Sequence, residues 1–246
     1  MTIIIIVNIL LIVGLAAFIS PIKVKNDVVK KELPILLVVT SMFTIAILSH
    51  YIGGIPEDFI LNRIDGLLFI IFFLVFIFYI VSSVKAKQGF LEYSKPKYNM
   101  LVSILLVIVC CIGIVFASDI VVDNARNIAS LLNVSTKIIT MTVVVIGTSL
   151  PEMTMTVIAA KKGEFDIALG NIIGTNIFNI CIVLGLPIAI YGGVSSSSFN
   201  VVDTSVVLLS ALMFYIFGRS NKELSRREGL LMVLVFILYY TYVFIS

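Results

Sequence analysis

The sequence predicts an all-α membrane protein of about eight transmembrane helices, organised as an inverted repeat. Three observations carry that expectation. The chain is 60% hydrophobic and 13% charged, with a mean hydropathy of +1.18, too little charge for a soluble protein of 246 residues. Apolar stretches long enough to cross a hydrocarbon layer of roughly 30 Å, about 20 residues each, recur along its length. Short strings in the first half also return in the second, in the same order.

In chain order, spans are expected at roughly 3–19, 34–50, 65–82, 99–118, 137–160, 165–190, 203–218 and 229–245. The first lacks the basic n-region of a secretory signal, and Ala16 and Ala17 run on into Phe18 and Ile19, so it reads as a crossing. His50 closes the second span as a helix-end residue. Asp65, Asp203 and Glu228 sit at span starts, where a carboxylate suits the helix dipole. Asp119 and Asp123 lie at or beyond a membrane boundary near Arg126, in solvated or ion-paired positions. Cys110, Cys111 and Cys181 are in apolar segments and read as small buried hydrophobes.

The 17 Lys and Arg residues set the orientation. Loops 20–33, 83–98, 161–164 and 219–228 carry Lys23, Lys25, Lys30, Lys31, Lys85, Lys87, Lys95, Lys97, Lys161, Lys162, Arg219, Lys222, Arg226 and Arg227. The alternate connections carry Arg63, Arg126 and Lys137. The positive-inside rule makes the first set cytoplasmic and leaves both termini outside a cell (inner) membrane. The modest net charge of +3 is explained by this distribution, and nothing points to a nucleic-acid partner; the expected partners are the lipid bilayer and inorganic cations.

Asn8-Ile9-Leu10-Leu11-Ile12-Val13-Gly14-Leu15 aligns with Asn179-Ile180-Cys181-Ile182-Val183-Leu184-Gly185-Leu186, at an offset of 171. Arg63-Ile64-Asp65-Gly66-Leu67-Leu68 aligns with Arg226-Arg227-Glu228-Gly229-Leu230-Leu231, at an offset of 163. The period covers five crossings, an odd number, so the two copies must be inverted. The charges agree, because the lysine-rich loop 20–33 corresponds to the Gly/Ser-rich 191–202, which has no Lys or Arg. Inverted repeats around a midplane site are a common plan for secondary transporters. The second copy has about eighty residues before Asn179 and the first only seven before Asn8. By that arithmetic a first-repeat segment of about seventy residues, including a counterpart of Gly147–Glu152, is expected to be missing and to be supplied in trans or replaced by a second copy.

Residues 147–152, Gly-Thr-Ser-Leu-Pro-Glu, and 170–179, Gly-Asn-Ile-Ile-Gly-Thr-Asn-Ile-Phe-Asn, place oxygen ligands inside apolar segments. An ionisable residue at membrane depth marks a functional site by default, so Glu152 is the leading candidate. Thr148, Ser149, Thr175 and Asn179 add further oxygens with no thiol or imidazole among them, a hard set suited to a cation. Pro151 lacks an N–H and would clash with the carbonyl of Gly147, so a helix break is expected there, freeing that carbonyl as a further ligand. Non-helical backbone at such depth is tolerated where it is buried or lines a cavity. Gly170 and Gly174 permit a break or a close helix approach, while Asn171 and Asn176 suit either ligation or hydrogen bonding between helices.

These two motifs, in this order and spacing, closely resemble the second alpha-repeat of the sodium/calcium exchanger (cation/calcium antiporter) superfamily. The resemblance implies a ten-helix inverted-repeat antiporter fold, of which this chain holds the end of helix three through helix ten. Residues 1–82 would be the remainder of the first repeat, 83–98 a cytoplasmic linker, and 99–246 the complete second repeat. Carried over by motif position, the cation-binding residues are Thr148, Ser149, Glu152, Thr175 and Asn179, with Asn8 added as the partner of Asn179. The function implied is antiport by alternating access, a divalent cation such as Ca²⁺ against Na⁺ or H⁺, with no cofactor. The chain departs from the family in two places: the acidic motif of the first repeat is absent, and Asn179 stands where many relatives have Asp. A divalent cation would then meet a single carboxylate.

Two other readings compete. A truncated fragment would insert in the membrane without transporting. A membrane-embedded enzyme with Glu152 as general base would need a partner His, a Ser–Lys pair or a metal-ligand set in the same layer, and the single His50 is badly placed for it.

Overall fold

The computed structural model describes residues 1–53, 59–87, 98–131, 145–195 and 200–245. They are almost entirely helical: α1 (Thr2–Ile19), α2 (Leu33–Gly53), α3 (Arg63–Lys87), α4 (Met100–Leu131), α5 (Val145–Thr148), α6 (Leu150–Lys161), α7 (Phe165–Tyr191), α8 (Val201–Arg219) and α9 (Arg226–Ile245). Among the described residues six helices are long and apolar enough to cross a membrane: α1, the helical run Val28–Ser49, the Arg63–Ser83 part of α3, α7, α8 and α9. The span expected at 99–118 falls inside the longer α4. Of the span expected at 137–160, residues 137–144 lie outside the described residues, and the rest is divided between α5 and α6. Side chains such as Phe78, 75% exposed, and Ile64, 68% exposed, present apolar surface outward, as lipid-facing positions require.

The chain forms two compact units, Met1–Leu74 with Glu152–Ser246, and Val75–Pro151. In the second unit α5 lies on α4, where a Cβ at Gly147 would come 2.4 Å from Cγ2 of Val122. That glycine is needed for contact between the helices.

In the first unit the sequence repeat becomes a set of paired structures. The helical hydrogen bonding widens to the π pattern at Val7–Val13 in α1 and at Asn179–Leu184 in α7, corresponding positions of the two aligned strings. Such wide turns cost regular hydrogen bonding and concentrate at functional sites. Strand β1 (Ile22–Lys23), after α1, pairs with β4 (Glu223–Leu224), before α9; β2 (Phe59–Asn62), before α3, pairs with β3 (Gly193–Ser195), after α7. Helices α2 and α8 each run from one ribbon to the other, so the ribbons cap opposite ends of the unit.

Each repeat's glycine-bearing helix packs on the last helix of the other repeat. A Cβ on Gly14 would lie 2.9 Å from the carbonyl oxygen of Gly229, and one on Gly66 2.7 Å from that of Gly185. Small residues permit such backbone approach in membrane helices. The helix starts match as well. Asn62 Oδ1 accepts from the backbone N–H of Ile64 at 2.8 Å, while Asp65 Oδ2 accepts from that of Asn62 at 2.9 Å. Ser225 and Glu228 repeat the exchange, Glu228 Oε2 accepting from Ser225 N–H at 2.8 Å. Both are reciprocal caps, worth about 1 kcal/mol each. Asp203 stands in the first turn of α8, as expected for a residue serving the helix dipole, and also accepts a 2.9 Å hydrogen bond from the Tyr239 hydroxyl of α9.

The ribbon β1·β4 gathers the basic loops. Lys25 pairs with Asp166 at the start of α7, and the Ser20 hydroxyl donates to the carbonyl of Ala160 near the end of α6 at 3.1 Å. Loops 20–33, 161–164 and 219–228 therefore share one end of the unit, the grouping their charge predicts.

Candidate functional site

The expected interruption is present. In the unit Val75–Pro151, α5 ends at Thr148, Ser149 forms a turn, and α6 restarts at Leu150 with Pro151 in its first turn, where a missing N–H does no harm. The Thr148 hydroxyl donates to the carbonyl of Val145 at 3.1 Å, which leaves its oxygen lone pairs available. Ser149 is 3% exposed, and its Oγ has no hydrogen-bond partner among the described residues.

In the other unit, Glu152 stands in the first turn of α6, where the helix dipole favours its charge. Its Oε2 is buried without a hydrogen-bond partner among the described residues. The backbone carbonyl of Glu152 accepts from Asn171 Nδ2 at 3.4 Å, and the same amide donates to Thr156 Oγ1 at 3.1 Å. Asn171 thus ties α7 to α6 and fixes the turn that carries the carboxylate.

Asn176, fully buried, does the same toward the first repeat. Its amide donates to the Ile172 carbonyl at 2.8 Å, and its carbonyl accepts from Asn8 Nδ2 at 3.5 Å. Asn8 keeps a buried Oδ1 with no hydrogen-bond partner among the described residues. One helix, α7, therefore holds both the turn of Glu152 and the amide of Asn8. Thr175 and Asn179 are half-buried on α7 one turn apart, Asn179 opening the π-helical stretch.

Gly170 and Gly174 correct an expectation. α7 runs unbroken through both, and a Cβ at either would meet nothing within 4 Å among the described residues. Among the described residues neither a break nor a close approach is built there, and the backbone-to-backbone contacts fall on Gly14, Gly66, Gly185 and Gly229. Gly147, expected to offer its carbonyl, is also the residue at which α5 comes closest to Val122 of α4.

Thr44 was not singled out by sequence. It lies 1% exposed in α2, and its hydroxyl has no hydrogen-bond partner among the described residues, whereas Thr40, one turn earlier, bonds back to the Leu36 carbonyl at 2.9 Å. A hydroxyl pair four residues apart in an apolar span is the signal that could have marked it. Among the described residues no three His, Cys, Asp or Glu side chains come together. Among the described residues of the first unit, the orphaned oxygens of Asn8, Thr44 and Glu152 are an amide, a hydroxyl and a carboxylate, oxygen types that suit a hard cation.

A family model described as sodium/calcium exchanger protein matches residues 4–82 and 102–245. The chain belongs to the sodium/calcium exchanger family. It is 35% identical to inner membrane protein YrbG of Escherichia coli, over 95% of this chain and 72% of that protein. It is 26% identical to sodium/calcium exchanger MaX1 of Methanosarcina acetivorans, over 97% of this chain and 77% of that one. A structure of the sodium-calcium exchanger NCX_Mj soaked with Na⁺ and Sr²⁺ superposes with a TM-score of 0.76 at 30% identity, covering 98% of this chain and 74% of that one. The fold is accordingly that of an all-α membrane antiporter, and the exchanger's family is one of transporters acting on inorganic cations.

Proposed function

We propose that this exchanger moves Ca²⁺ against Na⁺ or H⁺ by alternating access, with Glu152 as the dominant ligand. The observation that carries the proposal is the pair of buried oxygens without hydrogen-bond partners among the described residues, Glu152 Oε2 and Asn8 Oδ1, on two helices both bonded to α7. Burying an acceptor without a partner costs several kcal/mol in an apolar setting, about 2–7, and a cation removes that cost. Ser149, Thr148, Thr175 and Asn179 join the set by motif position. Asn171 and Asn176 act as braces, since their amides are used between and along helices. Residues 1–82 and 99–246 are the parts of two inverted repeats, joined by a cytoplasmic linker at 83–98. Reconstitution in liposomes tests the reading: an imposed Na⁺ or proton gradient should drive Ca²⁺ against its own gradient. Flux indifferent to both gradients would exclude coupled exchange.

The orientation we propose puts the β1·β4 ribbon in the cytoplasm of the cell (inner) membrane and both termini outside. Support comes from the gathering of three basic loops at that end. A cysteine at Lys162, in a variant without native cysteines, should react with an impermeant maleimide after permeabilisation and not in intact cells. Labelling of intact cells would reverse the orientation.

A further inference from the structure

At the β1·β4 end, a cavity of about 550 Å³ opens between the lead-in to α2 and the last turn of α8. Asn26, Lys30, Tyr215, Arg219 and Lys222 line it, with Pro34 at its apolar edge, and no lining residue is a carboxylate. Three cations thus converge on one hollow. Like charges repel, so this arrangement is unfavourable by itself and is relieved by an anion. Arg219 is held in place, its Nη1 donating to the Tyr215 hydroxyl at 3.2 Å.

Lys222 supplies a second, independent observation. Its φ of 52° is left-handed, and among the described residues it is the sole non-glycine with positive φ. That conformation is costly for a residue with a Cβ and persists where surroundings impose it. Here the turn is fastened to β1: the Lys222 carbonyl accepts from the Val24 N–H at 2.7 Å, and its own N–H donates to the Ser220 carbonyl. A glycine would suit this backbone better, yet a lysine stands there and contributes its charge to the cavity.

We propose that this cavity binds the phosphate of an anionic phospholipid headgroup. The cavity sits where two membrane-crossing helices leave the bilayer, and basic pockets at that level suit such headgroups. The membrane-ward faces below it stay open to acyl chains: Val38, one turn after Pro34, is 46% exposed, and Ile216, one turn before Arg219, is 56% exposed. A free phosphate would gain nothing from those faces, and a lipid would be held by both its ends. This site is separate from the cation-binding residues and does not depend on the transport reading.

The test uses the full chain purified in neutral detergent and offered phosphatidylglycerol, phosphatidylcholine or inorganic phosphate, with bound lipid counted by native mass spectrometry. Phosphatidylglycerol should be retained at least about tenfold better than phosphatidylcholine. The triple variant K30Q/R219Q/K222Q should lose that preference, while the charge-matched K161Q/K162Q/R227Q should keep it. Should the first triple variant fold poorly, Lys222→Gly, which relieves the strained turn, combined with Lys30→Gln provides the same reading. Equal retention of the two lipids, or equal loss in the charge-matched control, would overturn the proposal. Complete displacement of phosphatidylglycerol by millimolar inorganic phosphate would also overturn it, in favour of a site for free phosphate.

Discussion

Glu152→Gln should abolish Ca²⁺ flux while leaving membrane insertion and folding intact. The substitution keeps the side chain's shape and removes its charge. Glutamine also replaces one acceptor oxygen by an NH₂ donor, which repels a cation. Among the oxygens that have no hydrogen-bond partner among the described residues, Glu152 supplies the formal charge, so the remaining amide and hydroxyl oxygens of that set cannot replace it. Removing one partner of a buried charge pair costs about 3–5 kcal/mol, and about 1.4 kcal/mol is tenfold in affinity. The expected loss therefore exceeds a hundredfold. Uptake of radioactive Ca²⁺ into vesicles, normalised to inserted protein, gives the answer. Undiminished uptake by the variant would remove Glu152 from the mechanism.

A methyl group at Gly229 or Gly66 should be among the most destabilising single changes available to this chain. At Gly229 the new Cβ would lie 2.6 Å from the carbonyl oxygen of Gly14 and 2.7 Å from the backbone nitrogen of Phe18. At Gly66 it would lie 2.6 Å from the backbone nitrogen of Ala189. Backbone atoms cannot swing aside as a side chain can, so the helices must separate. Overpacking of this kind costs about 1–3 kcal/mol, which for a chain of this size lowers the midpoint of thermal unfolding by about 2–12 °C. Gly170→Ala makes the contrast, since its Cβ meets nothing within 4 Å among the described residues and alanine favours helix by up to about 1 kcal/mol. Thermal unfolding in detergent, followed by size-exclusion, should rank Gly170→Ala well above Gly229→Ala and Gly66→Ala. Equal midpoints would mean that the glycine contacts carry no packing role.

Much of this was legible in the sequence for identifiable reasons. Glu152 stood out because a carboxylate in an apolar span is costly and therefore rare. The break near Pro151 followed from a missing N–H, and the repeat from shared Asn and Gly positions. The alignment even contained Gly14, Gly66, Gly185 and Gly229, yet it did not pair them. Spacing along one chain identifies small residues but not what approaches them. Gly170 and Gly174 attracted attention by their Gly-xxx-Gly spacing, while the actual contacts join residues far apart in sequence. The π-helical stretches were hidden for a related reason: a wide turn is stabilised by neighbouring helices and leaves no period in the residues themselves. Asn171 and Asn176 of α7 were ambiguous until their partners, Thr156 and Asn8, were in place.

The crossed glycine contacts also bear on how the protein is made. Gly14 and Gly229 touch across nearly the whole chain, so the helix synthesised early meets its partner only after α9 has left the ribosome. Until then the face of α1 that bears Gly14 is without its α9 partner. The close fit of α1 on α9 is consequently a late, closing event, and a chain stopped before Arg226 would hold α1 against α7 and α8 without its α9 partner.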